Sequence, residues 1–309
     1  MTIFDNWGLF GDNWFMSVTM VFGSFIAGST SVGGGAVAFP VMTLMYDIPP
    51  PVARDFSLMV QSVGMTAATL TIIFLRIPVE WRVITFISIG GFLGIVFGLE
   101  EVAPRLPSSF AMLFFTSLWF AFGLIIYWVN RHSDRFIYTK LEKFTSADIV
   151  RLFVIGFIGG TVSGVTGTGI DIVAFSLLSL YFRLCEKIAT PTSVVLMTIN
   201  SLAGFLWKES FSVGMEPAAW NYWWVCVPVV VIGAPLGAWF IKNKSRFFII
   251  GLLCSAIIVQ YIGALFILPM DAFMAFFSLA IIVLGVCCFW GAEHFGKNRF
   301  IVTPKEEKI

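Results

Sequence analysis

The sequence predicts an all-α polytopic membrane protein made of two inverted repeats, each a re-entrant helical hairpin plus transmembrane helices. Three observations lead there. The 309-residue chain is 58% hydrophobic and only 12% charged, against about 25% charged in a typical soluble domain. Apolar segments follow one another along most of its length. Two of these segments are interrupted mid-way by clusters of glycine and hydroxyl residues that match each other. The composition argues against a soluble enzyme or a nucleic-acid binder, and a net charge of +1 gives no global field to attract polyanions.

A spanning helix needs about 20 apolar residues. In chain order, the first apolar stretch, Trp14–Tyr46, is longer than that and is broken at Gly28-Ser-Thr-Ser-Val-Gly-Gly-Gly-Ala36. Phe56–Leu75, Val83–Leu99 and Phe110–Asn130 follow as single spans. The second long stretch, Arg151–Phe182, is broken at Ser163-Gly-Val-Thr-Gly-Thr-Gly-Ile-Asp171. Ile188–Trp207, Ala219–Ile241, Phe247–Leu268 and Ala272–Trp290 complete the set. Glycine runs break helices, and broken backbone at membrane depth is tolerated only where protein or a water-filled cavity covers it. The expectation is therefore about seven full crossings plus two re-entrant hairpins.

The two broken stretches are copies. Ser29, Gly33 and Gly35 recur 134 positions later as Ser163, Gly167 and Gly169, and the offset widens to 143 where Gly90 and Gly94 recur as Gly233 and Gly237. The chain divides into a first transmembrane repeat (1–130), a charged linker (131–148), a second transmembrane repeat (149–291) and a tail (292–309). Lys and Arg counts orient a membrane protein. If each broken stretch returns to the side it enters, Arg54, Arg105 and Lys208 fall on one side and the other Lys and Arg, from Arg76 and Arg82 through Arg135, Lys143 and Arg183 to Lys305 and Lys308, fall on the opposite one. That bias puts linker, tail and C-terminus in the cytoplasm. The first repeat then has three crossings, so the second is inserted upside down, as in secondary transporters.

The broken segments suggest their own chemistry. Glycine lets a ligand approach the main chain closely, and a helix starting after such a turn directs N–H groups into the cavity. The candidate substrate-binding residues are Ser29, Thr30, Ser31, Gly33, Gly34 and Gly35 in the first hairpin, and Ser163, Thr166, Gly167, Thr168 and Gly169 in the second. Ser57, Gln61, Ser193 and Thr198, on the helices that follow, extend the set as a polar wall. Together they would hold a small oxyanion without Lys or Arg. Close helix packing through small residues and hydrogen bonds between helices are the alternative reading. Asp171 is an intramembrane carboxylate, costly and by default functional. With Asn200 it is the candidate coupling-ion site, for a proton or for Na+; the alternative is an Asp that caps a broken helix. No cofactor and no metal site are expected: the only histidines are His132 and His294, and the five cysteines form no CxxC.

At these residues the chain resembles the TauE/SafE family of sulfite and organosulfonate exporters, also called the toluene-sulfonate uptake permease family. The resemblance is carried by Gly33-Gly-Gly-Ala-Val-Ala-Phe-Pro40 followed by Ala53 and Ser57, and by Gly167-Thr-Gly-Ile-Asp171 followed by Ala189-Thr-Pro-Thr-Ser193. Gly90-Gly-Phe-Leu-Gly94 and Gly233-Ala-Pro-Leu-Gly237 fit as well. The second hairpin departs from the family's pattern: Thr168 replaces a middle glycine and Ala174 stands where the first copy has Pro40. The resemblance implies transport of a small sulfur-containing anion such as sulfite or a sulfonate; together with the inverted hairpins and Asp171 it leads to the expectation of a bacterial inner-membrane secondary transporter, an exporter, working by alternating access with H+ or Na+ coupling. A channel of the same architecture and a non-transporting membrane subunit are the rival readings. The partners expected are the anion and the lipid bilayer, with no nucleic acid.

Overall fold

Runs of Leu, Ile, Val and Phe long enough to bridge a bilayer must satisfy their backbone groups internally, and the helix is the way to do so within one segment. The computed structural model describes residues 6–131, 137–141, 144–268 and 270–300, and among them there are helices and no strands. The helices are α1 (Leu9–Ser29), α2 (Gly34–Pro40), α3 (Pro50–Phe74), α4 (Trp81–Phe97), α5 (Ser108–Asn130), α6 (Ser146–Thr166), α7 (Ile170–Ser176), α8 (Glu186–Phe211), α9 (Pro217–Lys242), α10 (Arg246–Ile267) and α11 (Ala272–Phe300). Wider π turns continue α2 to Met45, α4 to Val102 and α7 to Tyr181. His132, Arg135, Lys143, Lys305 and Lys308 lie outside the described residues.

Among the described residues eight helices are long and apolar enough to cross a membrane, where the sequence predicts seven single spans; the eighth is α6, the first arm of the second broken stretch. Length alone does not decide its path. Arg151, near the start of α6, sits over the ring of Tyr181, at the end of the return arm, 5.4 Å from its centroid. Beyond it, the backbone of Tyr138 in the linker bonds Arg183 and Cys185. The second hairpin therefore ends on the side where it began. The first does the same, since Phe15 of α1 stacks on Tyr46 at 3.7 Å between centroids.

The two hairpins start from opposite ends of the molecule. Asp55 at the start of α3 pairs with Lys208 at the end of α8 and accepts from the backbone N–H of Glu216, which precedes α9. The α1 helix runs parallel to α9, with Ser17 bonded to Val225 and Gly28 beside Ala234, so the first hairpin opens at this Asp55 end. At the other end Arg82 of α4 bonds Leu141 of the linker, and Lys242 of α9 bonds Leu75, just after α3. There the second hairpin opens, and there Arg183 meets Glu293 of α11. Arg54, Arg105 and Lys208 thus share one end, and Arg76, Arg82, Arg151, Arg183 and Lys242 the other.

Glycine brings the hairpin arms against their supports. A methyl group at Gly94 of α4 would lie 2.0 Å from the carbonyl oxygen of Phe157 on α6. One at Gly28 of α1 would lie 2.0 Å from that of Ala234 on α9. Such backbone-to-backbone contact is how helices associate where lipid is as apolar as the side chains. The α5, α10 and α11 helices pack together on one flank, with Ser117, Ser278 and Tyr261 hydrogen-bonded between them. The outward faces of α10 and α11 carry Val259, Phe266, Phe276 and Leu284, as a lipid-facing surface requires.

Candidate functional site

Each hairpin breaks where its sequence cannot stay helical. In the second, Gly167 and Gly169 adopt φ of 82° and 141°, open to glycine and strained for any other residue. Between them Thr168 is 1% exposed. In the first, Thr30 ends α1 by turning its hydroxyl back to Ile26 and accepting the N–H of Val32, and α2 resumes at Gly34.

The tips overlap side by side. Ser31 of the first accepts a 2.9 Å hydrogen bond from Ser193, near the start of α8. Gly167 of the second packs on Arg54 and Ser57, near the start of α3. Each tip has therefore passed the middle of the bundle. Gln61 of α3 lies between them. Its Nε2 donates to the carbonyls of Ser57 (2.9 Å) and Gly167 (2.8 Å), and its Oε1 faces the Thr168 hydroxyl at 3.4 Å. Gly33 fits against Gln61, Thr168 and Asp171, and Gly35 against Gln61 and Ser57. Ser31, Gly33, Gly35, Ser57, Gln61, Gly167, Thr168, Asp171 and Ser193 thus form one buried, mostly neutral polar junction.

The other predicted residues are placed around it. Ser29 bonds Ile26 of its own helix and packs on Gly237 of α9. Gly34 turns toward Met20 and Ala27 of α1. Ser163 accepts the N–H of Ile170, Thr166 donates to the carbonyl of Thr168, and Gly169 packs on Val162 and Phe115. Thr198 shares a 2.7 Å hydrogen bond with Thr69 across α3 and α8. Asn200 lies against Gly91 of α4. Where the sequence suggests N–H groups directed into a cavity, the structure occupies several of them internally: Ile170 with Ser163, Ile172 with the Oδ1 of Asp171, Val173 with Gly169, and Ala36 with Gly33.

Beside the junction is a cavity of about 20 Å³ whose walls include Gly35, Phe39, Thr116, Thr166, Thr168 and Gln260. That is room for about one water. Sequence reasoning misses the Asp55–Lys208 pair that ties α3, α8 and α9 at one end. Its only trace is two opposite charges near the ends of two predicted spans. At the opposite end the N–H of Glu80, preceding α4, donates to the hydroxyl of Thr192 on α8, where Glu216 donates to a carboxylate.

Compared with known proteins, residues 16–259 match the family described as sulfite exporter TauE/SafE. No curated protein and no solved structure matches the chain.

Proposed function

Because this chain belongs to the sulfite exporter TauE/SafE family, we propose that it carries a small sulfur-containing anion, sulfite or an organosulfonate, across the bacterial inner membrane by alternating access. The overlap of the hairpin tips carries the reading: the two arrive from opposite ends, and the Ser31–Ser193 hydrogen bond joins the first to α8 beyond the middle of the bundle. In this reading the chain is two inverted halves, 1–130 and 149–291, and the linker and C-terminus are cytoplasmic. The anion sits between the tips, held by the hydroxyls of Ser31, Ser193 and Thr168, the Gln61 amide and main-chain N–H groups. Hydroxyl and amide donors hold an oxyanion less tightly than a buried Arg would, which suits a site that must also release. Asp171 couples the cycle to H+ or Na+.

The test is flux of labelled sulfite and sulfate into liposomes holding the purified protein, with and without an imposed pH or Na+ gradient. Sulfite flux that saturates and responds to a gradient is expected. Asp171→Asn should remove the response to the gradient and leave folding intact. Conductance that ignores every gradient would mean a channel, and absence of both flux and binding would mean a subunit that does not transport.

A further inference from the structure

We propose that Gln61, Thr168 and Asp171 form a binding site for a hard monovalent cation of Na+ size, which ties the second hairpin to α3 beside the first tip; the proposal rests on the tips being the translocation centre. The sequence pairs Asp171 with Asn200, but the geometry pairs it elsewhere. A methyl group added to Gly33 would lie 2.3 Å from Oε1 of Gln61, 2.3 Å from Oγ1 of Thr168 and 3.0 Å from Oδ2 of Asp171. Three oxygens therefore converge on the face of Gly33, closer than any side chain there would permit.

Each oxygen has a reason to point there. Both hydrogen bonds donated by the Gln61 amide go to carbonyls, of Ser57 and Gly167, which fixes the orientation of Oε1. The Asp171 carboxylate spends Oδ1 on the N–H of Ile172, while Oδ2, in a residue 1% exposed, has no hydrogen bond of good geometry, although the main-chain N–H groups of Gly33 and Gly169 lie near the carboxylate. A buried carboxylate oxygen without a partner is costly, and such a group asks for a proton donor or a cation. The separation of Thr168 Oγ1 and Gln61 Oε1, 3.4 Å, is what two oxygens about 2.4 Å from a common ion give at a right angle, inside the range of oxygen-ligated hard cations.

The donor chemistry selects the ion. Oxygen ligands alone favour hard cations over zinc, copper or iron, and no group of three His, Cys, Asp or Glu is placed to hold a metal among the described residues. One carboxylate balances one positive charge, whereas all-protein Ca2+ sites recruit several carboxylates. The consequence reaches the anion. The junction contains no Lys or Arg, so a cation on Asp171 would supply the positive charge that an oxyanion beside it needs. It would also hold the second tip to α3, since Gln61 comes from α3 and Thr168 and Asp171 from the second hairpin, with Gly33 of the first tip packed against all three.

The experiment is thermal unfolding of the full-length protein in detergent, in NaCl, KCl or choline chloride at one ionic strength, with and without sulfite. A ligand that binds the folded state alone raises the melting temperature. NaCl is expected to raise it above choline chloride saturably, and Asp171→Asn and Thr168→Val should each lose that rise. Gly251→Ala, where an added methyl meets nothing, should keep it. Thr168→Val preserves side-chain shape and decides the matter if Asp171→Asn fails to fold. A sulfite-induced rise with no Na+-specific rise overturns the cation site and leaves the anion reading standing. A Na+ rise with no response to any anion does the reverse. A Na+ rise untouched by both variants, or one that mild acid in choline chloride reproduces in full, overturns the assignment.

Discussion

A single missing methyl group sets the spacing between helices at several places. Gly94→Ala would push its Cβ into the Phe157 carbonyl and Gly28→Ala into that of Ala234, each at 2.0 Å. The obstacle is backbone, which cannot rotate away, so α4 must part from α6, or α1 from α9. Each substitution is expected to cost about 1–3 kcal/mol, the usual penalty of overpacking. Gly251→Ala meets open space, and its better helix propensity should stabilise by up to about 1 kcal/mol. Denaturant titration of the three variants in one detergent checks this, and an equal cost at all three would refute it. The sequence made the glycines Gly90, Gly94, Gly233 and Gly237 visible because each pair recurs one helical turn apart in both halves. Their partners are not legible there, since Phe153, Phe157 and Phe25 are ordinary residues of apolar runs. Asp171 stood out because a carboxylate is rare at membrane depth. Thr198 did not reveal its partner: a hydroxyl on a buried helix has neighbours on two sides, and here it found Thr69.

The elements were legible in kind and order, and less so in extent. The second broken stretch reads from Arg151 because a charge marks the edge of an apolar run. In the structure α6 starts earlier, at Ser146, with Thr145 and Asp148 capping it through two hydrogen bonds of 2.9 and 2.8 Å. Arg151 then lies within the helix, paired with Asp148. The arm gains length, and at 1.5 Å per residue its 21 residues carry the tip beyond the bundle's middle. That is why the breaks overlap, a depth that no count of glycines supplies. At the start of α3, Asp55 holds Lys208, Arg54 and the N–H of Glu216 with its side chain fully buried. Removing one partner of a buried pair strands the other charge, so Lys208→Met is expected to destabilise by about 3–5 kcal/mol. Adding Asp55→Asn to Lys208→Met should recover much of that loss, because the fully buried carboxylate is gone and the charge left, on Arg54, is partly exposed. A double variant as unstable as the sum of the single ones, in the same denaturant titration, would mean that the two residues act independently.

For the whole molecule the question is whether the overlapping tips must separate. The cavity at the junction holds about one water, while the anion proposed as cargo has several heavy atoms, so a passage opens only by moving a hairpin relative to α3 and α8. The hydrogen bond between Ser31 and Ser193 joins the first tip to α8 over 2.9 Å, a separation that a disulfide spans with small adjustment. Replacing both serines by cysteine, in a chain whose five free cysteines have first been changed to serine or alanine, should give a bond that forms under mild oxidant. Transport in liposomes should then stop and should return on adding reductant, whereas either single cysteine should be indifferent to oxidant. The alternating-access reading requires this outcome, because the first hairpin cannot expose the site to its own side while pinned to α8. If the oxidised double variant carried sulfite as fast as the reduced one, the tips would be a fixed scaffold, and the route of the anion would have to lie elsewhere in the bundle.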